Sequence, residues 1–192
     1  MLKTNRLILR EFKPTKQDYQ AILSIMSDEN VNKYLPWFPL KSINDAKEFY
    51  NKRILPAYEK KLGYYFAVCM KEDNLPIGYI SVNGDSSHDF GYGIKKAYWN
   101  KGIVTEASDK VIELLKSKGW KYITATHDVH NGASGKVMEK LNMQYKYSYE
   151  EQWQPKNITV TFRMYQLNLD GDCKRVYKEY WDKHPVHFIE DI

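Results

Sequence analysis

One stretch of this chain combines residue types suited to holding an anion: Tyr98-Trp99-Asn100-Lys101-Gly102-Ile103-Val104-Thr105-Glu106-Ala107, a turn feeding a helix. The first N–H groups of a helix have no partner within it, and the helix dipole favours negative charge at that end. Gly102 lets a ligand approach the backbone with no Cβ in the way. Lys101 adds a cation and Thr105 a hydroxyl, so phosphate is the group this turn is equipped to hold. Taken alone, Lys-Gly-x-x-Thr also describes a plain helix cap. One strand further on, Asn131-Gly132-Ala133-Ser134 reads as the start of another helix.

Two rival motifs fail. Gly91-Tyr92-Gly93 imitates the opening of a dinucleotide fingerprint, but its glycines sit inside a strand pattern and no third one follows. His127-Asp128-Val129-His130 has the residue types of a metal site without further ligands nearby, and a strand-to-helix turn accounts for it; no metal is expected.

The elements that must position these residues can be read from periodicity. A strand over 6–12 ends at Pro14, and a helix over 15–26 carries Tyr19, Ile22, Leu23 and Met26 on one side. After the proline-punctuated loop Leu35-Pro36-Trp37-Phe38-Pro39, Asn44 is expected to cap a second helix with Ala46, Phe49, Tyr50, Ile54 and Tyr58 inward and an end blurred by Pro56. Strands over 64–70, 76–82 and 88–94, with turns at Asn74 and Gly84-Asp85, form an antiparallel meander. Then follow a helix over 102–118, a strand over 121–127, a helix over 133–141, and a hairpin of strands 144–152 and 158–169 around Pro155-Lys156-Asn157. This pattern suits one α+β domain over 1–169. The remaining 170–192 form an extension in which Asp172 caps a short helix bearing Val176, Tyr177, Tyr180 and Trp181. That helix either docks on the domain or makes a dimer contact.

Composition narrows the class. A chain of 192 residues can bury roughly 70% of its unfolded surface, so it folds without staples. The two cysteines, Cys69 and Cys173, have no metal-ligand spacing and suit a reducing cytoplasm. No run approaches the length of a membrane span, and no membrane partner is expected. The net charge of +5 is spread along the chain with acids interleaved, and no nucleic-acid motif appears, so no nucleic-acid partner is expected.

Asp89-Phe90-Gly91-Tyr92-Gly93-Ile94 followed by Tyr98 to Ala107 resembles the fourth strand and pyrophosphate loop of the GNAT N-acetyltransferases. Asn131-x-x-Ser134-x-x-Val137-Met138-Glu139-Lys140-Leu141 resembles their next helix. Thr4-Asn5-Arg6-Leu7-Ile8-Leu9-Arg10 and Leu35-Pro36-Trp37 are similar to the ribosomal-protein N-terminal (Rim-type) branch. The resemblance covers about 2–169. It departs at Trp99 and Val104, which fill the first and last places of the general loop pattern, and at Asn100, where that branch has glycine.

The resemblance implies a GNAT fold with a mixed, mostly antiparallel sheet of about seven strands and helices on both faces. It implies acetyl-CoA as donor, held by Tyr92, Gly93, Ile94, Asn100, Lys101, Gly102, Ile103, Val104, Thr105, Asn131, Ser134 and Lys136. The reaction implied is direct attack of an amine on the thioester through a tetrahedral intermediate, with backbone N–H groups near Tyr92 to Ile94 polarising the carbonyl. Asp89 is the first candidate base, with His88 beside it as second; Trp37, Phe38 and Asp89 would border the acceptor. Many relatives carry an acidic tyrosine where this chain has Met138, which leaves Ser134 to hydrogen-bond the sulfur.

The acceptor implied is a primary amine, either a protein N-terminus or a small molecule, and a monomer or homodimer is expected. At pH 7 about 14% of an α-amine is neutral against about 0.04% of a lysine amine, so a lysine-like substrate leans harder on its base. A catalytically silent acyl-CoA-binding module is the alternative of a different class.

Overall fold

The computed structural model describes residues 1–192. Its first sheet places β1 (Leu2–Lys3), β2 (Leu7–Arg10), β3 (Gly63–Met70), β4 (Pro76–Asn83) and β5 (Phe90–Ile94) side by side in chain order. The second contains β6 (Tyr122–Asp128), β7 (Gln144–Trp153), β8 (Ile158–Asn168) and β9 (His187–Phe188), in the spatial order β6-β8-β7-β9. Every ladder is antiparallel. One parallel bridge, Asp89 with Thr124, links the two sheets. The expected sheet of about seven strands is thus present as five plus four, with the two-residue β1 and β9 as additions.

Helices cover both faces, because alternate side chains of each strand point to opposite sides. Ala67, Cys69 and Tyr79 meet α1 (Lys16–Met26) and α3 (Ile43–Phe49) through Ile22, Ile25, Ala46 and Phe49. Val68, Ile80, Val82, Phe90 and Ile94 meet α5 (Ile103–Ser117) and α6 (Gly132–Lys140) through Ile103, Ala107, Val111, Leu115 and Met138. Each fully buried aliphatic side chain contributes about 1.5–3 kcal/mol, so α5 is held by packing and its N-terminus is free to serve a ligand.

Several boundaries differ from the sequence reading. Ser42, not Asn44, caps α3, because Asp45 reaches back to the Ser42 N–H while Ser42 accepts from Asp45 N–H. A short α2 (Glu29–Asn32), capped by Asp28, was not anticipated. Between α3 and α4 (Leu55–Glu59) the chain widens into a π-turn over Tyr50–Ile54, just ahead of Pro56, which has no N–H to give. His88 takes φ +47° in a turn, so β5 begins two residues later than expected.

The extension also departs from expectation. Asp172 caps no helix; it pairs with Arg175 in a turn. The Tyr177 N–H is claimed by the Gln166 side chain, and the Tyr177 ring enters an aromatic cluster with Tyr147, Tyr149 and Phe162, which delays helix α7 to Glu179–Lys183. Beyond it β9 pairs with β7, and Glu190 bonds Arg163. The extension therefore lies on the second sheet. No helix of the chain is long and apolar enough to cross a membrane.

Candidate active site

The turn before α5 is built for an anion. Asn100 and Gly102 adopt φ +58° and +71°, left-handed values that cost side chains about 1–2 kcal/mol and that asparagine tolerates next best to glycine. That explains how asparagine can stand at position 100. The first helical bond runs from Glu106 N–H to Gly102 O at 3.0 Å, so the N–H groups of Ile103, Val104 and Thr105 precede it without intrahelical partners. Gly102 supplies no side-chain cap. The donor set fits phosphate.

Residues far back in the chain brace this turn. Thr4 Oγ1 donates to Glu106 Oε1 at 2.5 Å, and the Arg6 backbone N–H adds a second bond to that oxygen at 3.0 Å. Arg6 Nε reaches Glu106 Oε2 at 2.7 Å, and its Nη1 reaches the Lys101 carbonyl at 3.0 Å. Burial acts to raise the Glu106 carboxyl, but the bonds from Thr4 and Arg6 prevail and hold it below its ordinary value. The sequence reading noted Thr4 and Arg6 without assigning them this task.

β5 exposes one edge. Asn83 N–H bonds Asp89 O and Lys95 N–H bonds Ile77 O, so the odd-numbered residues between them turn their peptide groups toward β4. The N–H groups of Phe90, Tyr92 and Ile94 therefore point the other way. There β6 makes only the Asp89–Thr124 bridge before the sheets part. Unpaired N–H groups along such a cleft can meet a carbonyl or an amide. Gly93 belongs to this strand for a packing reason: a Cβ there would come within 2.5 Å of the Tyr79 ring.

Across the cleft, the Tyr92 hydroxyl lies 2.8 Å from the Ser134 carbonyl oxygen and 2.9 Å from Ser134 Oγ. Burial raises the Tyr92 phenol despite its bond to Ser134, so it stays protonated. The resemblance implies only a backbone role for Tyr92; the part its phenol plays depends on a contact with a residue 42 positions away. Asn131 caps α6 by accepting the Ser134 N–H at 3.4 Å, and its amide nitrogen is left for a ligand. Lys136 and Lys140, one turn apart on α6, line the same cavity.

Asp89 lies immediately before β5. Its Oδ1 is enclosed with no partner, and burial, then the Asp85 and Glu151 carboxylates, push its pKa up to about 7. His88 turns away, its ring 4.4 Å from Trp120 and 5.0 Å from Tyr122, and does not line the cavity. His127, dismissed with the metal motif, does line it. Burial lowers the His127 pKa, its Nδ1 faces Asp128 O at 2.8 Å, and Nε2 has no partner.

One cavity of about 1180 Å³ connects these parts, larger than the roughly 300–1,000 Å³ of an ordinary small-molecule site. It runs from Asn100, Gly102, Ile103, Val104 and Thr105, past Tyr92, Gly93, Ile94, Asn131, Ser134 and Lys136, to Asp89 and Trp37. Besides His88, two expected residues stand outside it. Phe38 is 58% exposed, because its neighbour Trp37 takes the inward place against Phe49. Lys101 lays its ammonium 5.5 Å from the Tyr98 ring centroid, and only its carbonyl serves the turn. Tyr34, whose hydroxyl donates to His130 O, and Lys156, whose ammonium donates to Asn32 O, tie the far wall together.

Comparison with known proteins places this geometry. Residues 6–144 match the family model described as an acetyltransferase (GNAT) domain. The uncharacterized N-acetyltransferase YnaD of Bacillus subtilis is 33% identical over 146 residues, covering 74% of this chain and 81% of its own. The structure of RimL, a ribosomal L7/L12 alpha-N-protein acetyltransferase in complex with coenzyme A, superposes with a TM-score of 0.76 at 16% identity, over 88% of this chain and 97% of that one. Spermidine N-acetyltransferase from Vibrio cholerae, in complex with CoA and spermine, gives 0.72 at 16% identity over 86% and 97%. The two structures share the fold.

Proposed function

This chain belongs to the GNAT acetyltransferase family, and from that premise we propose how its own residues move an acetyl group from acetyl-CoA to a primary amine. The donor supplies the activated thioester. The N–H groups of 103–105 hold its phosphates, with Lys136 and Lys140 as nearby cations. The N–H groups of Tyr92 and Ile94 face the carbonyl and stabilise negative charge on its oxygen. Asp89 accepts the proton of the incoming amine, and a pKa near 7 suits that task at neutral pH. As the C–N bond forms and the C–S bond breaks, Ser134 gives its proton to the sulfur. Tyr92, turning its proton from the Ser134 carbonyl to Oγ, replaces it, and solvent restores Tyr92.

The observation that carries this reading is the continuity of one cavity from the phosphate turn, along the unpaired edge of β5, to an enclosed carboxyl. Of the two superposed enzymes, one is named for a protein N-terminus and the other for a polyamine, so the fold admits either kind of amine. A coenzyme A donor and the free thiols Cys69 and Cys173 suit the cytoplasm, where we place the protein. The test is free-thiol release from acetyl-CoA against a panel of amines. Amine-dependent release supports transfer; tight acetyl-CoA binding with no release for any amine would favour the silent binding module.

A further inference from the structure

The acceptor half of the cavity has a charge pattern that selects among amines. Its wall is largely aromatic, with Tyr34, Trp37, Tyr65, Tyr79 and Trp153 among the residues lining it. Two carboxylates line the cavity. Asp89 is pushed up to about 7, and Asp128 already accepts from the N–H and the ring of His130. On the helical wall, Arg53 lines the cavity with no ion pair or hydrogen bond of its own, its guanidinium 5.2 Å from the Trp37 ring centroid. The Trp37 indole N–H beside it is enclosed and has no acceptor. Both groups can only donate. An unpaired cation and an orphaned N–H at one place are the complement of an anion; the carboxylates of the adjoining pocket are engaged elsewhere, Asp45 by the N–H groups of Lys41 and Ser42 and Glu48 by Lys52.

We propose, resting on the acetyltransferase reading, that the acceptor is a primary amine on an aromatic or apolar body bearing an anionic group at the end remote from the amine. Arg53 and the Trp37 N–H read that group. A charge-assisted bond from a guanidinium to a carboxylate or phosphate is about twice as strong as a neutral one, so the anion should dominate selection. The apolar body supplies contact with the aromatic wall.

The test uses three benzylamines with the same reacting group: 4-(aminomethyl)benzoate, 4-methylbenzylamine and 1,4-bis(aminomethyl)benzene, each also in a biphenyl version to vary the reach. Thiol release gives kcat/KM, and calorimetric titration into protein saturated with coenzyme A gives affinity independently of turnover. The expected order is carboxylate over methyl by about tenfold and methyl over ammonium in at least one length, since the free Arg53 attracts the first and repels the last. Arg53→Gln should erase the carboxylate preference, and Arg53→Glu should reverse it. Equal or better use of the diamine in both lengths would overturn the proposal, as would a preference that survives Arg53→Glu, or no binding of any of these amines. Ordered binding without thiol release would instead keep this selectivity and remove the transferase reading.

Discussion

The Tyr92 hydroxyl on β5 bridges to both the carbonyl and the hydroxyl of Ser134 on α6, at 2.8 and 2.9 Å. A carbonyl oxygen only accepts, so the phenol proton satisfies it, and Ser134 keeps its own proton to donate. Position 138 is a methionine where the family resemblance implies a tyrosine, but a phenol arrives at the same helix from the neighbouring strand.

Tyr92→Phe and Ser134→Ala should each lower kcat by about a hundredfold, the lower end of what general acid catalysis contributes, with KM for acetyl-CoA changed by less than about threefold. The double variant should be little worse than the poorer single one, because the two groups act as a unit. Steady-state kinetics across the four proteins checks this. A fall in melting temperature with kcat unchanged would mean the pair is only a clasp.

The brace behind the phosphate turn gives a second expectation. Arg6→Ala and Glu106→Gln should weaken acetyl-CoA binding by about tenfold, since each frees the turn from a charge-assisted contact. Lys101→Ala should cost less than about threefold, because its ammonium lies over Tyr98 and outside the cavity. Calorimetric dissociation constants decide both. The opposite ranking would restore the lysine as the phosphate ligand.

Asn100 offers a backbone test. Asn100→Gly should keep full affinity, because either residue takes φ +58°. Asn100→Val should bind acetyl-CoA about five- to thirtyfold more weakly, matching the 1–2 kcal/mol that a left-handed conformation costs a residue with a branched Cβ. Equal affinities would show that the turn geometry does not matter to the ligand.

Asp89 sets the pH dependence. Its folded pKa of about 7 exceeds its ordinary value of 3.8, mainly through burial. The native state therefore binds the extra proton, and wild-type stability falls as pH rises from about 4 to about 7. Asp89→Asn should lack that fall and melt higher than wild type at pH 8, while matching it near pH 4. As a base, Asp89 must be ionised, so wild-type kcat/KM should climb through pH 7 and the variant should lose that limb. A profile unchanged by the substitution would assign the base elsewhere, with the enclosed His127 next in line.

What the sequence made legible was local. Gly102 and Asn131 mark helix starts from their own neighbours, and the alternation around Phe90 to Ile94 reads directly as a strand. What stayed hidden needed contacts between distant segments. Nothing near Tyr92 announces that its phenol meets Ser134, and nothing near Glu106 announces Thr4 and Arg6. The cap of α3 was misplaced because Ser42 and Asn44 are both good capping types, and only Asp45 reaching back decides between them. The helix in the extension was drawn too long because periodicity cannot show that Gln166 already holds the Tyr177 N–H.

The most direct measurement of the central claim is calorimetric titration of acetyl-CoA into the wild-type protein and into Gly102→Val. The substitution forces a branched residue into φ +71° at the phosphate turn while leaving Asp89, Tyr92 and Ser134 in place. Binding in the micromolar range by wild type, weakened at least about tenfold in a variant that remains folded by circular dichroism, is the expected result. No binding by the folded wild type, or equal affinity in both proteins, would contradict a donor held at this turn.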